Sequence, residues 1–124
     1  MDRAELQNRT KQFAPRVMRL TAALPASVQW RSVANQLMRS GTSVGANYRA
    51  ACRARSRKEF VAKMGVVIEE ADESAFWLEL VIDGHLQKPE LVQPLLVEAN
   101  ELLRIMSASR ATAVRRSRDA KPGA

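Results

Sequence analysis

The sequence predicts an all-α protein, folded as an antiparallel up-down-up-down four-helix bundle. Four segments place apolar residues at intervals of three or four, which is the spacing of one helix face. Short stretches separate these segments, and short connections favour antiparallel neighbours. The 124-residue chain also has only five glycines and five prolines, too few for a protein rich in β-turns.

The first helix is predicted over residues 4–24 and the second over residues 28–54. Pro15 either delays the start of the first helix or kinks it. Pro25 ends that helix, and Ser27 caps the next by accepting a backbone N–H bond. Their predicted inner faces are Leu6, Phe13, Val17, Leu20 and Leu24 in the first, and Trp30, Val33, Leu37, Gly41, Val44, Tyr48 and Ala51 in the second.

Gly41 and Gly45 lie inside the second helix, where each costs roughly 0.5–1 kcal/mol relative to alanine. A compensating reason is therefore expected. We interpret them as positions where a neighbouring helix backbone approaches closely. A phosphate-binding loop is the weaker alternative, because the spacing differs from that of a P-loop and no Lys-Ser or Lys-Thr pair follows.

The third helix begins after Ser56, which forms a capping box with Glu59, and ends near Gly84. The fourth helix is predicted over residues 88–109, with Pro89 in its first turn. Their inner faces are Phe60, Met64, Val67, Ala71, Ala75, Leu78 and Ile82, and Leu91, Leu95, Ala99, Leu102 and Met106. We predict a bundle over residues 1–109 and a basic, disordered tail over residues 110–124, because the tail lacks an apolar repeat.

The net charge of +7 is distributed unevenly along the chain. Residues 28–58 carry seven basic and no acidic side chains, whereas residues 59–86 carry seven acids against one lysine. Residues 110–124 add five basic side chains against one acid. Such an asymmetry indicates a polyanionic partner, self-association, or both.

Arginines form a face of the second helix opposite its apolar stripe. They admit two interpretations: contacts with nucleic-acid phosphates, or pairing with the acidic third helix of a neighbouring subunit. No aromatic stacking residues interleave the basic face, which argues against specific single-strand recognition. The nucleic-acid candidates are Arg31, Arg39, Arg49, Arg53 and Arg57, with Arg110, Arg115, Arg116 and Arg118 of the tail.

The outer side of the third helix mixes apolar with acidic residues. A helix that is apolar on two sides usually needs two partners, so we predict an oligomer interface there. Its candidate residues are Val66, Glu69, Glu73, Phe76, Trp77 and Leu80. Asn47 and Glu70, at the edges of their stripes, are predicted to join a polar network between the second and third helices.

Catalytic, metal-binding and membrane functions find little support. The chain has one histidine, His85, and one cysteine, Cys52. It therefore has little material for a Ser–His–Asp or Cys–His catalytic set, and too few histidines for a histidine-rich metal site. We expect no enzyme activity, no metal and no cofactor. No run of about 18 apolar residues occurs, and the N-terminus lacks the pattern of a signal peptide. A single cysteine suits a reducing compartment, so we expect a cytoplasmic protein without membrane contacts.

Two stretches carry a family resemblance: residues 39–56, RSGTSVGANYRAACRARS, and residues 58–80, which include KEFVAKMG and EEADESAFWLEL. Together they closely resemble the bacterial four-helix-bundle proteins of the intervening-sequence type, encoded within insertions in large-subunit ribosomal RNA genes. That family is distantly similar to the accessory variability determinant of diversity-generating retroelements. The resemblance covers roughly residues 5–107.

The resemblance implies a homopentameric barrel and nucleic-acid binding, with a reverse transcriptase as partner among the retroelement relatives. It supplies no catalytic residues. We therefore predict a non-enzymatic, oligomeric protein that binds RNA or DNA through backbone electrostatics. The alternative is a protein-interaction scaffold, whose divided charge serves self-assembly and docking of a partner protein such as a reverse transcriptase.

Overall fold

The structure is a computed structural model and describes residues 1–119. It contains four helices: α1 over Arg3–Ala22, α2 over Val28–Cys52, α3 over Arg57–Asp83 and α4 over Pro89–Asp119. Each helix packs on the next in chain order, and α4 also meets α1, so the antiparallel four-helix bundle is confirmed. Within residues 1–119, no helix has the length and apolarity needed to span a membrane.

The caps explain where three of the helices begin. Asp2 caps α1 by accepting the N–H of Glu5 at 2.8 Å. Ser27 caps α2 and Ser56 caps α3, as predicted, each accepting the N–H of the third residue onward. Pro15 lies within α1 without ending it.

The core follows most of the predicted inner faces. Phe13, Leu37, Met64 and Leu102 are fully buried, together with neighbours one turn away on each helix. The fourth helix departs from prediction in its first turns, where Val92 is buried and Leu91 is 59% exposed. Leu91 and Val92 are adjacent apolar residues, so spacing alone did not decide which one faces the core.

The predicted disordered tail is wrong for residues 110–119, because α4 continues through them to Asp119. The Arg110 side chain donates from Nε to the carbonyl of Val61 on α3 at 3.2 Å. This contact ties the extension to the bundle, although the extension lacks the long apolar stripe used to predict helices. Residues 120–124 of the predicted tail lie outside the described residues.

Gly84 caps the C-terminus of α3 without adopting the left-handed conformation that often favours glycine at this position. Its φ is −82°, while His85 takes the positive φ of 54°. A Cβ on Gly84 would lie 2.6 Å from the Trp30 ring of α2. The glycine is therefore required by packing of the indole against the turn, rather than by its backbone conformation.

Candidate nucleic-acid interface

One end of the bundle collects exposed arginines from the start of α1, the α2–α3 connection, the start of α3 and the end of α4. We call this set the basic end: Arg3, Arg53, Arg55, Arg57 and Arg116. Antiparallel packing brings these segments together although they are distant in sequence. None of the five forms a salt bridge within residues 1–119, so their charges remain available to a partner.

Phe60 forms the centre of the basic end. It lines two adjoining cavities of about 330 and 380 Å³, which share Arg3 and Arg57. The guanidinium carbon of Arg3 lies 5.6 Å from the centroid of the Phe60 ring. This cation–π contact positions Arg3 at the rim without neutralising its charge.

Local structure at the start of α3 adds to the positive potential. Backbone N–H groups at a helix N-terminus favour anions. The nearby Glu59 offsets part of this, accepting the backbone N–H of Arg55 at 3.3 Å and lying 3.9 Å from Lys63 Nζ. The end therefore stays net basic while its connecting loop is held in place.

A second basic surface runs along the outer seam between α1 and α2. We call this cavity of about 540 Å³ the α1–α2 groove. Its cations are Lys11 on α1, Arg49 on α2 and Arg53 directly after α2, and Arg53 joins the groove to the basic end. Each is exposed, and none forms a salt bridge within the described part of the chain.

Gly41 and Gly45 form the contact between α2 and α1, as predicted from their mid-helix positions. A Cβ on Gly45 would lie 3.0 Å from the carbonyl oxygen of Thr10, and one on Gly41 would lie 2.8 Å from the Val17 side chain. The two helices thus approach closely enough to make the floor of the groove from backbone and small side chains. The P-loop alternative finds no support in this geometry.

The structure separates Arg39 from the other predicted nucleic-acid residues. Its guanidinium contacts Glu70 at 3.1 Å and Glu73 at 2.6 Å across the α2–α3 seam. The hydrogen bond from Arg39 holds the pKa of the Glu73 carboxyl below its usual range. Arg39 therefore pairs with acids of its own chain, instead of those of a neighbouring subunit.

The remaining predicted arginines are divided between different environments. Arg31 lies at the opposite end of α2 and donates to the carbonyl of Ala26, away from the basic end. Arg110 is engaged with Val61, as described above. Arg115 and Arg118 are exposed in the last turns of α4 and follow Arg110 toward the basic end.

The predicted polar network between α2 and α3 has different members from those expected. The Asn47 amide donates to the carbonyl of Ser43 on its own helix, so this contact does not cross the seam. Glu70 does cross it, through Arg39. The hydroxyls of Ser40 and Ser74, both fully buried, lie 3.1 Å apart and form a second crossing that the sequence analysis missed.

The predicted oligomer surface on α3 is only partly exposed. Phe76 is 52% exposed and Val66 is 40% exposed, and Glu69 is exposed near them. Trp77 and Leu80 are half-buried. The Trp77 indole donates to Glu73 at 3.3 Å and its ring meets Phe76 edge-on, with centroids 5.0 Å apart.

Sequence reasoning missed Arg3, Arg55 and Lys11 as members of these surfaces. Arg55 lies between two predicted residues, Arg53 and Arg57, but off the helical face used to select them. Arg3 and Lys11 lie on α1, where basic and neutral residues alternate without a clear stripe. Only the packing of α1 against α2 and α4 places them beside the others.

The bundle and its basic end define an all-α protein with a polyanion-compatible surface. The model of the 23S rRNA-intervening sequence protein family matches residues 3–108. The chain belongs to this family, as the resemblance of residues 39–80 predicted. The match ends at residue 108, so the last turns of α4 with Arg115 and Arg116 lie beyond it.

A solved structure supports the fold. It is the crystal structure, at 1.70 Å resolution, of a protein of unknown function from the S23 ribosomal protein family of Bacteroides thetaiotaomicron. The two chains are 29% identical with a TM-score of 0.81, over 90% of this chain and 99% of the other. No curated protein matches the chain significantly.

Proposed function

We propose that this protein is a non-enzymatic nucleic-acid-binding protein that holds RNA or DNA phosphates at its basic end. The observation that carries the proposal is the convergence of five exposed, unbridged arginines from separate segments on one end of the bundle. Guanidinium groups match phosphate geometry with paired donors, so several of them at one surface favour a polyanion.

Two arginines elsewhere on the bundle are paired with acids, which supports the basic end as the binding site. Arg9 is bound to Glu98 and Glu101, and Arg39 to Glu70 and Glu73, so these cations are already compensated. The basic end has two acidic neighbours, Asp2 and Glu59, but neither forms a salt bridge with its arginines within residues 1–119. Binding there is expected to release counterions from nucleic acid and to weaken steeply with salt.

The test compares two triple variants that lose the same charge. Arg53→Ala/Arg57→Ala/Arg116→Ala removes cations of the basic end, and the control Arg19→Ala/Arg31→Ala/Arg104→Ala removes exposed cations elsewhere. Binding of labelled RNA and DNA is measured by mobility shift over a range of salt. We expect the first variant to lose affinity and up to about three units of salt slope, since each phosphate contact contributes about one.

The control variant is expected to retain most of the wild-type affinity and slope. Equal losses in both variants would mean that only net charge matters, and the basic end would not be the site. Absence of binding by the wild type at low salt would overturn the nucleic-acid function itself.

A second candidate is a self-assembling scaffold, favoured by the exposed Phe76 and Val66 on α3. Glu69, Asp72 and Glu79 are exposed on the same side of this helix, and they complement the basic surfaces of α1 and α2. We propose a second copy of this chain as the occupant of this face. The homopentamer implied by the family resemblance is one such assembly, and docking of a partner protein would use the same face.

A further inference from the structure

The α1–α2 groove differs in chemistry from the basic end. Besides its cations it presents the side-chain amides of Gln7 and Asn8, and no acidic residue lines it. The Thr42 hydroxyl also lines it but donates to the carbonyl of Met38 at 2.7 Å, so it offers the groove only an acceptor. A purely electrostatic surface has no need for neutral groups that both donate and accept hydrogen bonds. On nucleic acid, charged groups contact the phosphates and neutral polar groups can contact the base edges, so this combination suits both parts of such a ligand.

The shape of the groove limits what fits into it. Gly45 lies against the Thr10 backbone, and Ala4, Ala14 and Ala46 complete a floor of small residues. Neighbouring helices pack about 8–10 Å apart, so the seam between them is about one extended chain wide. A double helix would rest on its rims, whereas a single strand would reach the floor.

Apolar side chains continue the groove at its end away from Arg53. Met18 and Met38, one helical turn beyond Ala14 and Thr42, are 49% and 40% exposed. Thioether side chains offer polarisable, apolar surface against which a base can lie. The groove thus combines charge and amides with apolar surface at one end.

The two amides are available for new contacts. The side chains of Gln7 and Asn8 are exposed and make no hydrogen bond within residues 1–119. Amide groups of this kind pair with base edges, and in unpaired strands those edges are free of Watson–Crick partners. In a duplex the same edges would lie away from the floor of so narrow a groove.

We propose that the α1–α2 groove binds an unpaired RNA or DNA strand, with Lys11, Arg49 and Arg53 on its phosphates and Gln7 and Asn8 on its base edges. The inference rests on the proposed nucleic-acid function and names the form of nucleic acid that this part of the surface selects. It requires no aromatic stacking, because base contact comes from the amides and the methionines.

The test uses the full chain and a matched pair of variants. Gln7→Ala/Asn8→Ala removes the groove amides, and Gln12→Ala/Asn100→Ala removes exposed amides from α1 and α4 outside the groove. The probes are a short labelled RNA without self-complementarity and the duplex that it forms with its complement. Fluorescence anisotropy measures both at several salt concentrations, after circular dichroism has checked folding.

We expect the wild type to prefer the strand over the duplex. The groove variant is expected to lose about fivefold or more of its affinity for the strand, with unchanged duplex affinity and salt slope, because no cation is removed. The control variant is expected to match the wild type on both probes.

The outcomes separate the two proposals. Equal wild-type affinity for strand and duplex, or equal behaviour of the groove and control variants, would overturn the groove inference while leaving binding at the basic end intact. If the wild type binds neither probe at low salt, the proposed function and the groove inference both fail.

Discussion

The glycines of this protein differ in how much space surrounds the position that a Cβ would take. A Cβ on Gly45 would press on the Thr10 backbone, which cannot rotate away. A Cβ on Gly65, in the middle of α3, would meet only the Arg110 side chain at 3.8 Å, an ordinary contact. Identical substitutions at these sites therefore have opposite expected effects.

We predict that Gly65→Ala stabilises the protein by about 0.5–1 kcal/mol, because alanine loses less backbone entropy in a helix. Gly45→Ala is expected to destabilise it by about 1–3 kcal/mol, since α1 and α2 must move apart. Urea unfolding followed by circular dichroism at one protein concentration measures both changes. A stabilised Gly45→Ala protein would contradict the close approach of the two helices.

At the scale of elements, the seam between α1 and α4 depends on polar side chains. These helices approach less closely than the other neighbouring pairs. Arg9 on α1 reaches across to α4, donating to both oxygens of Glu98 at 2.6 and 2.7 Å, and to Glu101 at 2.8 Å. One guanidinium group therefore joins the first helix to the last and closes the bundle.

This contact predicts a dependence of stability on acid. The hydrogen bond from Arg9 lowers the pKa of the Glu101 carboxyl in the folded chain below the ordinary 4.5. As the pH falls, the Glu101 carboxylate is protonated in the unfolded chain before it is protonated in the folded chain. The folded state therefore loses stability as the pH falls toward and through the lowered pKa. We expect the free energy of unfolding to fall less steeply between about pH 5 and pH 3 in Glu101→Gln than in wild type. Urea unfolding at a series of pH values measures this.

The control for this experiment is Glu79→Gln, which removes an exposed carboxylate of α3 that forms no salt bridge within the described residues. It is expected to follow the wild-type curve more closely than Glu101→Gln does. Identical pH profiles for wild type and Glu101→Gln would mean that the Arg9 contact does not form in solution.

For the whole molecule, the structure divides the charge of the chain into compensated and free parts. Arg39 neutralises acids of α3 within the same chain, so self-association has fewer unpaired acids to use than the sequence predicts. The basic end and the α1–α2 groove keep their cations exposed. This distribution favours an outside polyanion more strongly than net charge does.

The assembly proposal gives its own prediction. Phe76→Asp introduces a charge into the exposed face of α3 and is expected to dissociate the oligomer, with helicity retained. Phe76 is a better position for this substitution than Trp77, because the half-buried Trp77 indole also packs against the core and its loss would destabilise the monomer. Light scattering of Phe76→Asp and of the control Leu91→Asp measures this. A wild-type monomer, or equal effects of both substitutions, would contradict the proposed interface.

Most of the fold was predictable because burial follows helical spacing. The inner faces of α1 and α2, the caps Ser27 and Ser56, and the close approach at Gly45 all follow from local residue order. The family was likewise recognisable from residues 39–80. The extension of α4 was not, because its helix is held partly by a contact from Arg110 to another element.

The sequence by itself determined the number of helices, the inward faces of α1 and α2, and the division of charge along the chain. Only the tertiary structure decided which charges remain free. Arg39 and Arg53 share the predicted basic face of the second helix and look equivalent in sequence. In the structure Arg39 meets two carboxylates, whereas Arg53 borders an open groove. An ion pair requires two side chains within a few ångströms of each other, here on helices that are distant in sequence. Helical spacing along one segment carries no information about which side chains of another helix lie that close.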